Sequence, residues 1–82
     1  MVPGMRSTPE DGDIVVHEAQ REGALVYVLH TAPGPDQLIF LGHEDAFAHA
    51  TRCAQRDGVR VWLSGEGYDF LLLEDFRAMA GV

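Results

Sequence analysis

Two strand-like segments joined by a short turn constrain the fold of this chain most. Residues 14–19 and 24–30 are rich in β-branched and aromatic side chains, which favour extended backbone. Glu22 and Gly23 lie between the segments, and glycine readily adopts the positive φ that a tight hairpin needs. The sequence therefore predicts an antiparallel hairpin. Its two-residue turn pairs His17 with Val28 and Val16 with Leu29.

A break, a strand, a helix and another strand follow the hairpin. Prolines interrupt backbone pairing after the hairpin, and the apolar residues 38–41 predict a third strand that completes a meander. Acidic residues begin a helix after Gly42, and Gly58 ends it. The apolar residues of this helix recur as one stripe: Ala46, Phe47, Ala50, Cys53 and Ala54. Residues 59–64 alternate at period two, which predicts a fourth strand.

The C-terminal segment is compatible with two predictions. Phe70, Leu73, Phe76 and Met79/Ala80 recur at helical spacing. Asp69 is a suitable N-cap and Gly81 a suitable stop, which favours a short helix. The alternative is a fifth strand over residues 68–73. With the helix, the predicted fold is α+β, an antiparallel sheet in the order β-β-β-α-β with a short C-terminal helix.

The predicted sheet is apolar on both faces. The first strand places Ile14 and Val16 on one face and Val15 on the other, and the next two strands follow the same pattern. One amphipathic helix covers only one face. The other face needs the C-terminal helix or another copy of the chain, and we predict a homodimer. The candidate interface residues are Trp62, Tyr27, Phe70, Leu73 and Phe76.

Length and charge limit the classes of function. The 82 residues suffice for one small domain, predicted at residues 13–82 behind a flexible tail at residues 1–12. A formal charge of −7 disfavours nucleic acids and anionic membrane surfaces as partners. The N-terminus lacks the apolar core of a signal peptide, so we expect the cytoplasm. The absence of lysine and asparagine indicates a GC-rich bacterial genome.

Residues 40–50 and 57–61 carry a family resemblance. An apolar strand leads through a short acidic turn into an alanine-rich helix, then into a glycine and a β-branched strand. This pattern resembles small bacterial proteins of unknown function that combine a three-stranded meander, one helix and a returning strand. The resemblance covers about residues 13–64. It implies the same arrangement of elements here, and it implies no catalytic residue.

Local spacing defines no catalytic or metal-binding constellation. His17 and His30 share a face of the hairpin, but spacing does not fix a third ligand beside them. Cys53 lies in the apolar stripe of the helix, where cysteine acts as a small buried hydrophobe. Ser64 lacks a nucleophile elbow, and the sequence fixes no base beside it. We therefore expect no metal, no cofactor and no catalytic residue, and a binding module rather than an enzyme.

The helix carries one pair of basic residues that could bind an anion, and the sequence leaves three hypotheses for the function. Arg52 and Arg56 stand one helical turn apart, a spacing that suits a phosphate or carboxylate, although a solvated helix face offset by acidic residues is the simpler explanation. The leading hypothesis is a self-association module. The first alternative is an acidic adaptor or antitoxin-like regulator of a basic partner protein. The second is a small enzyme or ligand carrier with an interface pocket lined by His17, His30 or Tyr68.

Overall fold

A computed structural model describes residues 8–32, 34, 38–65 and 68–77 and has an α+β fold. In chain order its elements are β1 (Ile14–Arg21), β2 (Ala24–Thr31), β3 (Leu38–Phe40), α1 (His43–Asp57), β4 (Arg60–Gly65) and β5 (Tyr68–Asp75). The strands form one mixed sheet in the spatial order β3-β2-β1-β4-β5. Within the described residues, no helix is long and apolar enough to cross a membrane.

The hairpin of β1 and β2 forms as predicted. Glu22 and Gly23 make its turn with φ values of 52° and 82°. The strands are antiparallel, and β3 continues the meander by pairing antiparallel with β2. The register confirms the prediction, since His17 pairs with Val28 and Val16 with Leu29.

The helix α1 also agrees with the sequence prediction. Gly58 follows its last residue with φ 69°, and the Gly58 N–H donates to the Ala54 carbonyl at 2.7 Å. The predicted stripe faces the sheet, with Ala46, Ala50 and Ala54 fully buried and with Phe47 and Cys53 packed against them. Amphipathic spacing alone therefore located the buried side of the helix.

The parallel pairing of β4 with β1 corrects the prediction of an antiparallel sheet. Ile14 pairs with Val61, and His17 pairs with Ser64. The reason is the crossover through α1, because a chain that leaves β3, crosses the sheet and re-enters it can run in the direction of β3 again. The direction of β3 is also that of β1, since two antiparallel pairings separate them. The spacing of residues within β4 carries no information about this direction.

The strand β5 is a second correction, because it replaces the predicted helix over residues 68–75. It pairs antiparallel with β4, with Gly65 beside Tyr68 and Trp62 beside Leu72. Residues 70–73 are apolar at every position and therefore fit a strand as well as a helix. The open edge of β4 decides between them, since its backbone groups pair only with an extended segment. The predicted continuation through residues 78–80 lies outside the described residues.

The two faces of the sheet are covered differently. Beneath α1 lies a core of Ile14, Val16, Tyr27, Leu29, Val61, Phe76 and the buried alanines of the helix. Val15, Val28 and Trp62 are buried on the opposite face. No helix of the described residues covers that face, which is where the C-terminal helix was expected. Thr8 and Pro9 lie beside Val15 there.

Candidate functional site

The strand β5 presents an apolar edge. It ends the sheet, so among the described residues it has a neighbouring strand on one side only. Four consecutive apolar side chains remain exposed along it: Phe70 at 37%, Leu71 at 53%, Leu72 at 47% and Leu73 at 38%. An exposed apolar edge strand is a template for pairing with another strand.

The exposed side chains of β5 divide between the two faces of the sheet. Leu71 pairs with Leu63 on the face that α1 covers. Leu72 pairs with Trp62 on the opposite face, which it shares with Phe70. The alternation is regular over residues 70–72 and is interrupted after them by a bulge. A partner at this edge would therefore meet apolar side chains on both faces.

The structure separates the five predicted interface residues. Tyr27 and Phe76 belong to the core beneath α1, and Trp62 is fully buried on the opposite face. Phe70 and Leu73 lie on the exposed edge. The ring of Trp62 contacts that of Phe70 nearly at right angles, with 6.3 Å between the centroids. Trp62 thus supports the exposed edge from within the chain.

A buried ion pair holds Trp62 in place. The Asp13 carboxylate accepts hydrogen bonds from Trp62 Nε1 at 2.9 Å, from Arg60 Nε at 3.0 Å and from the Arg60 backbone N–H at 3.1 Å. The Glu10 backbone N–H also donates to it, at 3.0 Å. The Arg60 guanidinium lies 4.8 Å from the centre of the Trp62 ring. This cluster joins the segment before β1 to β4.

The same contacts keep Asp13 ionised although it is 97% buried, with 3% of its surface exposed. Burial opposes the charge and raises the pKa. Hydrogen bonds from Glu10, Trp62 and Arg60, together with the charge of Arg60, outweigh burial and lower the pKa of Asp13 below its ordinary value of 3.8. Because the carboxylate already has these partners within its own chain, the cluster is structural rather than a ligand site.

A pocket of about 500 Å³ opens on the face opposite α1. Its size falls within the range of small-molecule sites, roughly 300–1,000 Å³. The described residues that line it are Thr8, Pro9, Val15, His17, His30, Ala32, Ser64 and Phe70. With the histidines neutral, none of these side chains carries a formal charge.

Two histidines, a serine and Thr8 form the polar part of this pocket. His17 Nδ1 lies 3.3 Å from Ser64 Oγ, within hydrogen-bonding distance. His30 has a buried Nδ1 that finds no hydrogen-bond partner in the described structure. Such an unpaired group costs about 1–3 kcal/mol. No described carboxylate hydrogen-bonds to His17, so the pair lacks the third group that orients the base of a catalytic triad.

Sequence reasoning did not find the contact between His17 and Ser64. Spacing along the chain could not place His17 beside Ser64 as a base, because His17 and Ser64 are 47 positions apart. The parallel register of β1 and β4 makes them direct partners. A parallel alignment of residues 14–17 with 61–64 is the signal that would have found the pair.

The basic pair predicted on α1 lies apart from the pocket and from β5 in the described part of the chain. Arg52 and Arg56 are exposed on α1, and Arg56 pairs with Asp57 at 3.0 Å between Nε and Oδ1. Arg60 binds Asp13 instead of joining them. No group of three described His, Cys, Asp or Glu residues is placed to hold a metal ion. The anion site on α1 stays a prediction.

The chain was compared with known protein families, curated proteins and solved structures. No protein-family model, curated protein or solved structure matches this chain. The resemblance of residues 13–64 to small bacterial proteins of unknown function therefore stays a prediction. The described structure has two candidate functional sites, the edge of β5 and the pocket opposite α1.

Proposed function

We propose that this protein is a self-association module that forms a homodimer through β5. The observation that carries the proposal is the edge strand itself, whose four central side chains are apolar and exposed. Antiparallel pairing of two such edges joins the sheets of two chains into one. It supplies partners for the open backbone groups of both strands and removes apolar surface from water.

A second copy is the favoured partner because antiparallel pairing about a two-fold axis is self-complementary. The axis stands perpendicular to the joined sheet, so paired residues must share a face. A register centred on Leu71 meets this condition. It places Leu71 beside its own counterpart and Phe70 beside Leu72 of the second copy. The centre of the contact then consists of apolar side chains from residues 70–72, and the pairs of Asp69 with Leu73 and of Tyr68 with Glu74 fall at its ends, at and beyond the two bulges.

The neighbouring register with the same symmetry is centred on Leu72 and is less favourable. It places Phe70 opposite Glu74 of the second copy, and it brings the bulge at Leu73 into the centre of the pairing. Its central pairs therefore include the irregular Leu73 and a carboxylate, whereas in the register centred on Leu71 the pair that contains Glu74 lies at the end of the contact, where water still reaches it. The symmetry and the side chains together therefore favour the register centred on Leu71.

The length and composition of the two edge strands also favour β5 over β3 as the strand that pairs with a second copy. The opposite edge, β3, has only three residues, whereas β5 has eight. Residues 68–75 contain no proline, and their charged residues, Asp69, Glu74 and Asp75, lie outside the four consecutive apolar positions. Asp75 lies at the end of β5, where Arg77 Nη2 binds its carboxylate at 2.7 Å. That charge therefore already has a partner within its own chain.

The substitution Leu71→Lys tests this interface. In light scattering after size exclusion, the unmodified protein is expected at about twice the 9.0 kDa of one chain. The variant is expected at the mass of one chain, because the two-fold axis would place two ammonium groups side by side. Since Leu71 is 53% exposed within one chain, the substitution should leave the fold intact, which circular dichroism checks.

Leu41→Lys is the matched control. It introduces the same charge at an 84% exposed residue that lies outside the strands, and we expect it to remain a dimer. A mass of one chain for the unmodified protein at every concentration would overturn the proposal. So would a dimer of Leu71→Lys that persists with the affinity of the unmodified protein.

The pocket supports a second candidate function, that of a small-ligand carrier. Its polar residues include His17 and His30, which the sequence analysis placed in an interface pocket, and it extends to Phe70 on β5. Pairing of two β5 strands would bring the second copy to its rim. The acidic adaptor hypothesis depends on the net charge of −7 and stays a prediction. It predicts a complex with a basic protein that weakens as salt is added.

A further inference from the structure

We propose that the pocket opposite α1 binds a small uncharged molecule with a flat apolar body and a hydroxyl group. The described lining residues all come from one chain, from one face of its sheet and from the segments before β1 and after β2, so this proposal does not depend on the homodimer. It develops the ligand-carrier candidate by naming the class of ligand and the groups that recognise it.

The apolar part of the pocket fits a ring. Val15, Ala32 and Pro9 contribute aliphatic surface, and Phe70 contributes an aromatic side chain. Phe70 is 37% exposed, and the edge-to-face contact with the buried Trp62 supports it. An aromatic side chain held in this way offers an offset-stacked or edge-to-face contact to a planar ligand.

The polar part of the pocket fits a hydroxyl group. A hydroxyl both donates and accepts hydrogen bonds, as do the Ser64 hydroxyl and a neutral imidazole. His17 and Ser64 are already within 3.3 Å of each other and present a joint donor and acceptor. No hydrogen bond within the described chain holds the His30 ring through its Nδ1. That nitrogen therefore remains available as a hydrogen-bonding group for a ligand hydroxyl.

The charge distribution argues against an anionic ligand. No described lining side chain is formally charged when the histidines are neutral. Arg60 lies on the same face, but its guanidinium is already bound to Asp13 at 3.0 Å. A carboxylate or phosphate would therefore find no free guanidinium in the described lining, and the net charge of −7 would repel it. An uncharged ligand avoids both effects.

A matched pair of probes tests the proposal on the full chain. p-Cresol carries a hydroxyl on an aromatic ring, and p-xylene replaces that hydroxyl with a methyl group of similar size. We expect p-cresol to cause saturable shifts in the imidazole nitrogen resonances of His17 and His30, at concentrations up to about 5 mM. His43 and His49, which lie on α1, serve as internal controls and should not shift.

The size of the effect identifies the polar contact. p-Xylene is expected to bind about tenfold more weakly than p-cresol, because it leaves the pocket's polar groups without a partner. Ser64→Ala and His30→Gln should each weaken p-cresol about threefold to tenfold and leave p-xylene nearly unchanged. His43→Gln is the matched control for His30→Gln and should change neither affinity.

Three results would overturn the proposal. They are the absence of saturable shifts at His17 and His30, equal affinities for the two probes, and unchanged p-cresol affinity in both pocket variants. Repeating the titration with Leu71→Lys separates this proposal from the homodimer. If Leu71→Lys has the mass of one chain and still binds p-cresol, the result supports both the homodimer and the ligand proposal. A dimer in the unmodified protein that binds no p-cresol supports the homodimer and overturns the ligand.

Discussion

Trp62 donates its indole N–H to Asp13 through a 2.9 Å hydrogen bond that joins β4 to the residue before β1. The two residues are 49 positions apart, and both are buried. The same carboxylate oxygen also accepts a hydrogen bond from Arg60 Nε at 3.0 Å. The packing of the face opposite α1 therefore depends on one carboxylate.

Asp13→Ala is expected to lower the free energy of unfolding by about 3–5 kcal/mol, because it removes the buried counter-charge of Arg60 and leaves only the exposed Glu10, at 3.3 Å, as its ion-pair partner. A chain of this length has a total stability of about 4–12 kcal/mol, so the loss is a large share of it. Urea unfolding followed by the fluorescence of Trp62, the single tryptophan, measures the change. Asp11→Ala removes an exposed neighbouring carboxylate and should cost less than about 0.5 kcal/mol. Equal losses in the two variants would contradict the role of Asp13.

Acid is expected to remove part of the stability that Asp13 contributes. Its folded-state pKa lies below the ordinary value of 3.8, so its ionisation favours the folded state above that pH. The contribution is lost as the pH falls through the lowered folded-state pKa. The difference in unfolding free energy between the unmodified protein and Asp13→Asn should therefore shrink between about pH 5 and about pH 2. A difference that stays constant over this range would contradict the prediction.

The two ends of α1 are expected to respond oppositely to serine. Gly58→Ser should destabilise the protein by about 1–2 kcal/mol, because a side chain at φ 69° is strained. Gly42→Ser should stabilise it by about 0.5 kcal/mol, because serine at the N-cap accepts a hydrogen bond that glycine cannot. Gly42 has extended backbone, and no atom lies within 4 Å of an added Cβ. Thermal unfolding of both variants measures the two signs, and losses of equal size would contradict this account.

The hairpin turn should be improved by Glu22→Asn. Glu22 has φ 52°, a conformation that asparagine adopts more readily than glutamate, so we expect a gain of about 0.5–1 kcal/mol. Gly23→Ala is the opposing variant and should cost about 1–2 kcal/mol at φ 82°. An added Cβ at Gly23 meets no atom within 4 Å, so its cost is conformational rather than steric contact with the fold. Urea midpoints that move in the same direction for both variants would contradict the prediction.

The sequence by itself determined the elements whose signals are local. The register of β1 and β2 followed from the two-residue turn at Glu22 and Gly23, because turn length fixes which residues face each other. The boundaries and the buried stripe of α1 followed from helical spacing and from Gly58. In each case, residues close in the chain contain the whole physical cause.

Only the tertiary structure decided how distant segments pair. The direction of β4 depends on the path of the crossover through α1, and residues 68–75 became a strand because the edge of β4 was open. The spacing of side chains along the chain predicts neither the crossover path nor the open edge, because both depend on backbone groups that are far apart in sequence. The contact of His17 with Ser64 and the cluster around Asp13 follow from the same pairing of β1 with β4. The candidate pocket therefore comes from a parallel register that no local pattern in the chain encodes.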